Sequence, residues 1–246
     1  MQESFQLFGP THLIIITATF ASPAILVLIS RLLRSKLFEN VVLMSLATVL
    51  FVNRIWAVAI GWDSGMRRFV DFLPLHLCDV ATFMVIVACL TRSASLIRIT
   101  YFFALAGTLQ AILTPDIRVN FPEPRFISFF VSHSGIVISA LYLTLGLRVY
   151  PDWCSLLQAF LWLQGYAIVA FASNMLLGTN FGYLASKPAN PSILDFFGPW
   201  PWYILVLEAV ALVKFALLLL PFFVFKSFFS NKQKGPDGAC QPTTQS

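Results

Sequence analysis

Seven apolar stretches follow one another along this chain, near residues 12–30, 41–60, 73–91, 97–114, 126–147, 154–177 and 200–225. About 20 mostly apolar residues, rising 1.5 Å each, carry a helix across the hydrocarbon of a bilayer. Each stretch meets that length, so the predicted fold is all-α. It is a polytopic membrane protein, a seven-transmembrane-helix bundle over residues 1–230, with a polar tail, 231–246, expected to be disordered. Composition excludes a soluble domain. The chain is 58% hydrophobic and 11% charged, whereas a soluble domain carries roughly a quarter charged residues. The net charge of +5 does not indicate nucleic acid, because the basic residues are scattered over short connections rather than gathered in a patch. The first apolar run follows Glu3 and His12, and its positive charges (Arg31, Arg34, Lys36) come after it, so it reads as a retained span rather than a cleaved signal.

Lysine and arginine concentrate on the cytoplasmic side of membrane proteins. With the N-terminus outside, Arg31, Arg34, Lys36, Arg92, Arg98, Arg148, Lys226, Lys232 and Lys234 face inward. Arg67, Arg68, Arg118, Arg125 and Lys187 face outward. The predicted topology is therefore N-terminus outside and C-terminus inside, a multi-pass arrangement expected in the cell membrane.

Ionisable groups in hydrocarbon are costly and need a partner or a watery cavity. In this topology they gather in the outer half. Asn53 and Arg54 lie about two turns before the end of span two. His76, Cys78 and Asp79 open span three, Gln110 nears the end of span four, and Ser132 and His133 lie about two turns into span five. Asn174 closes span six and Glu208 lies near the start of span seven. The pattern predicts an outward-facing polar cavity. The plainer alternative is that Arg54, Asp79 and Glu208 only pair to hold helices together. Cysteine and histidine spacing shows no CxxC pair and no zinc pattern, so no metal site and no cofactor are predicted.

Span three opens with Leu73-Pro74-Leu75-His76-Leu77-Cys78-Asp79. Pro74 suits a first helical turn. His76 and Asp79, three apart, share a face. Cys78 points nearly opposite to His76, so its base would come from another span, and His133 lies at the right depth. A thiolate near a helix N-terminus is favoured by the helix dipole. A Cys–His pair carries acyl transfer: the thiolate attacks an ester carbonyl and the imidazole shuttles the proton. A lone cysteine in a membrane helix also serves as a small packing residue.

The motifs form a recognisable series: the span-three run, Thr114-Pro115-Asp116, Phe130-Val131-Ser132-His133, Asn180-Phe181-Gly182-Tyr183-Leu184, Lys187-Pro188, Pro191-Ser192-Ile193-Leu194-Asp195, and Gly198-Pro199-Trp200-Pro201-Trp202-Tyr203. From span one to span seven it resembles the bacterial YwaF-like integral membrane family, which is similar to the eukaryotic transmembrane protein 164 group. Phe181 stands where a second tyrosine is expected. The resemblance implies an acyltransferase whose partners are membrane phospholipids, with Cys78 in the nucleophile position and His133 as base. Asn53, Arg54, His76, Asp79, Gln110, Asn174, Asn180, Tyr183 and Glu208 are the expected substrate-binding or supporting residues. Trp200 and Trp202 fit interface anchors. Two other readings use the same residues: a transporter or permease with the cluster as its binding site, or a seven-helix sensory receptor in which Lys214 holds a chromophore.

Overall fold

The computed structural model describes residues 5–66, 68–117, 119–188 and 193–229; the expected tail, 231–246, lies outside them. The described residues are helical, with no strand among them. Helix α1 (Pro10–Leu33) is followed by α2 (Lys36–Asp63), α3 (Leu77–Thr91), α4 (Ala94–Phe102), α5 (Leu109–Leu113), α6 (Pro124–Gly146), α7 (Trp153–Leu177) and α8 (Trp202–Phe229). A π-helical stretch, Phe103–Thr108, joins α4 to α5, so Ala94–Leu113 runs as one rod.

Among the described residues, six helices are long and apolar enough to cross a membrane; α3 is apolar but has only 15 residues. At 1.5 Å per residue it is about 22 Å long, short of the ~30 Å hydrocarbon layer. The expected span 73–91 is thus corrected at its start. A 3-10 turn occupies Phe69–Phe72, and the Leu75 N–H bonds to the Leu73 carbonyl, closing a three-residue turn around Pro74. Proline disfavours helical geometry in the residue before it. Pro74 therefore stands ahead of the helix rather than in its first turn, and His76 is the N-cap.

Sequence punctuation sets the other ends. Gly9-Pro10 and Glu123-Pro124 place proline at the first helical position of α1 and α6. Asp152 and Ser155 form a reciprocal capping box at α7, and Gly178 closes that helix at φ 62. Connections at one end of the bundle are short (34–35, 92–93, 147–152), and those at the end where α1 begins are long (64–76, 114–123, 178–201). The long connections enclose the site.

Helix α6 is the central rod, packed on α1, α2, α3 and α4. Its Gly135 leaves room for α2: a Cβ there would come within 2.8 Å of Leu50. Leu43, Leu50, Ala81, Val85, Phe102, Ile136, Val137 and Leu143 are almost wholly buried between these helices. Polar hooks fix the register where apolar packing is permissive. Thr19 donates to Ser134 (2.8 Å), Asn53 to the Ser128 carbonyl (3.1 Å) and His12 to the Ile112 carbonyl (2.7 Å). His12 is wholly buried, its other ring nitrogen accepting from the Phe8 N–H, which makes it a staple between α1 and α5.

Candidate active site

The late start of α3 puts a helix N-terminus below the end of the bundle. Arg54, which meets Asp79 of α3, lies nine residues before the end of α2, about 13 Å along its axis. No side chain caps α3, so the Leu77 and Cys78 N–H groups keep the unsatisfied donors of a helix start, while the Asp79 N–H bonds back to the His76 carbonyl. Cys78 sits in this turn as a free thiol, half-buried. Thr108, itself buried, stands beside its sulfur. Thr108 is the last residue of the π-helical stretch, and its neighbour Gly107 lies so close to α3 that a Cβ would come within 3.2 Å of Leu77. The Thr82 hydroxyl donates to the Cys78 carbonyl (2.8 Å), bracing the same turn from inside α3.

Asp79, next in the chain, forms an ion pair with Arg54 (3.2 Å), both side chains about one-fifth exposed. The Arg54 guanidinium also donates to the Phe72 carbonyl (3.1 Å), holding the 3-10 turn over the pair. Above the pair opens a cavity of about 370 Å³ between α2, α3 and the start of α6, lined by Arg54, His76, Asp79, Arg125, Ser128 and Phe129 together with apolar residues of α2 and the 64–76 connection. Non-helical backbone at depth is stable only where protein or water satisfies it, and the 64–76 connection meets this condition by lining the cavity.

The described parts of the next connection, 178–188 and 193–201, lie on the other side of α3. Asn174 anchors it: the side chain donates to the Phe181 carbonyl (3.0 Å) and accepts from the Phe181 N–H (2.7 Å) and the Thr179 hydroxyl (3.0 Å). Asn180 closes the next turn through Ala185 and Ser186. Phe181 meets His76 edge-on at 5.2 Å. Tyr166 of α7 donates to the Leu75 carbonyl (3.1 Å), which ties α7 to the turn ahead of α3. The Tyr183 phenol is pushed above its ordinary value by burial first, then by Asp116 and Cys78, so it is a neutral donor at neutral pH. Trp200 and Tyr203 pin the segment by donating to the Leu184 and Tyr183 carbonyls.

A family model described as the TMEM164 family matches residues 7–219. The chain belongs to the TMEM164 family. No curated protein and no solved structure matches it. Family membership and the apolar helices together make this a multi-pass membrane protein.

In this TMEM164-family chain, the site gathers some of the expected residues and not others. Arg54, His76 and Asp79 share the cavity, and Asn53 lies beside it through Ser128. Neither Cys78 nor His133 lines the cavity; Cys78 adjoins the lining residue Asp79, and His133 packs on the lining residue Phe129. His133 stacks on Phe129 at 4.1 Å, and its Nδ1 lies 2.7 Å from the Phe129 carbonyl oxygen. A carbonyl only accepts, so Nδ1 carries the proton and Nε2 keeps its lone pair. Gln110 is exposed and bonded to Thr114, away from the cluster. Glu208 accepts from Gln164, linking α7 to α8 rather than joining Arg54. Asn174 and Asn180 spend their amides on backbone of the 174–186 stretch. Lys214 donates to the Ala106 carbonyl of the π-helical stretch (3.4 Å). Sequence reasoning missed Thr108, Tyr166 and the cavity role of Arg125. Thr108 follows a glycine in an apolar run, Tyr166 is a lone phenol within a span, and Arg125 sits directly after Glu-Pro at a helix start; each was a legible signal.

Proposed function

We propose that this chain is a YwaF-like bacterial integral membrane acyltransferase of the cell membrane, acting on phospholipids, with Cys78 as nucleophile and His133 as general base and acid. The observation that carries the reading is the free thiol of Cys78 in the uncapped first turn of a recessed helix, with Thr108 and a charged cavity beside it. A helix N-terminus favours negative charge on sulfur and on a developing oxyanion. The bias of lysine and arginine supports a cavity that faces outward.

In the proposed reaction, Nε2 of His133 takes the Cys78 proton and the sulfur attacks the ester carbonyl carbon of a phospholipid. The Leu77 and Cys78 N–H groups of α3 and the hydroxyls of Thr108 and Tyr183 steady the oxyanion. The carbon–oxygen bond breaks, the imidazolium returns its proton to the departing lysophospholipid oxygen, and the acyl group rests on Cys78 as a thioester. A second lysolipid hydroxyl gives its proton to His133, attacks the thioester and leaves with the acyl group, which restores the thiol.

The test is acyl exchange between a labelled phospholipid and an unlabelled lysophospholipid, with purified protein in detergent or nanodiscs. Wild type should exchange label, and Cys78→Ala and His133→Ala should each lose at least a hundredfold. Wild-type rates in both variants would remove the dyad.

A further inference from the structure

The cavity beside α3 has a charge pattern that the acyl-transfer chemistry does not use. Two guanidiniums, Arg54 and Arg125, line it against one carboxylate, Asp79. The wall therefore carries an excess positive charge even before His76, which is exposed there, is counted. The arginines occupy different levels. Arg54 is committed at the floor to Asp79 and to the Phe72 carbonyl. Arg125 lies in the first turn of α6, and its Nε donates to the Ser64 hydroxyl (3.1 Å) just past the end of α2. Ser64 is ten residues beyond Arg54, about 15 Å along the helix direction. Among the described residues the Arg125 guanidinium has no carboxylate partner, so both of its terminal nitrogens are available at the mouth.

A planar guanidinium fixed at one nitrogen and open at the other two matches a tetrahedral phosphate, which it grips through two parallel N–H bonds. A positively charged mouth with low-dielectric walls concentrates such an anion. The volume of about 370 Å³ falls in the range of small-molecule sites.

We infer that the mouth of this cavity is a phosphate site, with Arg125 as its ligand, and that it receives the phosphodiester of a glycerophospholipid headgroup. A phosphate held at Arg125 directs the ester groups of the same lipid inward, toward the floor at Asp79, the residue next to Cys78. The inference deepens the acyltransferase reading and rests on it for the identity of the lipid; the anion site itself follows from Arg125, the net positive charge of the wall and the cavity.

Binding tests it without turnover. Cys78→Ala protein in detergent is titrated with 1-palmitoyl-lysophosphatidylethanolamine, with the phosphate-free 1-palmitoylglycerol, and with inorganic phosphate. The parent should bind the phospholipid, Arg125→Gln should bind it about tenfold more weakly, and Arg125→Lys, which keeps charge but loses the fork, should fall between. Binding of the monoacylglycerol should be weak and equal in all three. Equal phospholipid affinity in the parent and Arg125→Gln, with both folded by melting temperature, would overturn the site. Inorganic phosphate binding as tightly as the lipid would overturn the lipid assignment. The arms separate this inference from the acyltransferase reading: Arg125-dependent binding stands even if Cys78 proves inert, and active exchange with an unchanged lysolipid KM in Arg125→Gln in the Cys78-containing protein would sink the site alone.

Discussion

Replacing Arg54 by methionine should destabilise the bundle more than a surface charge substitution does, and a second substitution at Asp79 should add nothing to the loss. The side chains of the pair are 23% and 19% exposed, so solvent screens them only in part. Breaking a buried pair costs 3–5 kcal/mol because the surviving charge is left alone, and the partial exposure here brings the expected loss to about 2.5 kcal/mol for Arg54→Met, and about the same for Asp79→Leu. The double variant removes both charges, and apolar replacement of a whole pair is often near neutral. The Phe72 carbonyl still loses its donor, so the double variant should lose about 2 kcal/mol in total. Independent effects would sum to about 5 kcal/mol, so the coupling in the double-mutant cycle is about 3 kcal/mol. Reversible unfolding of the purified variants in mixed micelles, followed by helix signal as the denaturing detergent fraction rises, measures all four corners. Additivity within about 0.5 kcal/mol would refute the pairing as the link between α2 and α3.

Three further substitutions test the surroundings of the site. Asn174→Ala removes three hydrogen bonds to the 179–181 backbone and side chains, and should cost about 2 kcal/mol while speeding amide exchange across residues 178–184. Gly182→Ala puts a Cβ at φ +64 and within 2.8 Å of the Tyr166 hydroxyl, so a loss of about 2 kcal/mol should appear as a lower melting temperature. Lys214→Met removes a half-buried cation whose hydrogen bond is to the Ala106 carbonyl, and stability should hold or rise by up to about 1 kcal/mol; a clear loss would show that the cation braces the π-helical stretch.

The helices were legible because hydrocarbon imposes a length that apolar runs must meet, and proline, glycine and Asx signals marked the ends of α1, α6 and α7. The gathering of Arg54, His76 and Asp79 was legible too, since charged groups in apolar spans need partners. The start of α3 was not. Leu73 and Leu75 are as apolar as the helix they precede, and only the turn around Pro74 separates them from it. The roles of Asn174, Asn180 and Glu208 were hidden for a related reason. An amide or carboxylate near a helix end serves a binding site or the local backbone equally well, and which one wins depends on the path of the 178–201 connection. Depth along a helix, read from sequence, gave the level of a residue but not its direction. Gln110 shows this, sitting near the expected level and facing away into Thr114.

The proposed chemistry stands on one covalent state, the acyl thioester at Cys78. Protein incubated with a defined phospholipid and no lysolipid acceptor, then analysed by intact mass and by peptide mapping, would show it directly. The account predicts a single added acyl mass on the Cys78 peptide. That mass should be removed by neutral hydroxylamine, discharged by added lysophospholipid, and absent from Cys78→Ala. Acyl exchange that proceeds at full rate in Cys78→Ala, with no adduct on the wild-type peptide, would contradict it.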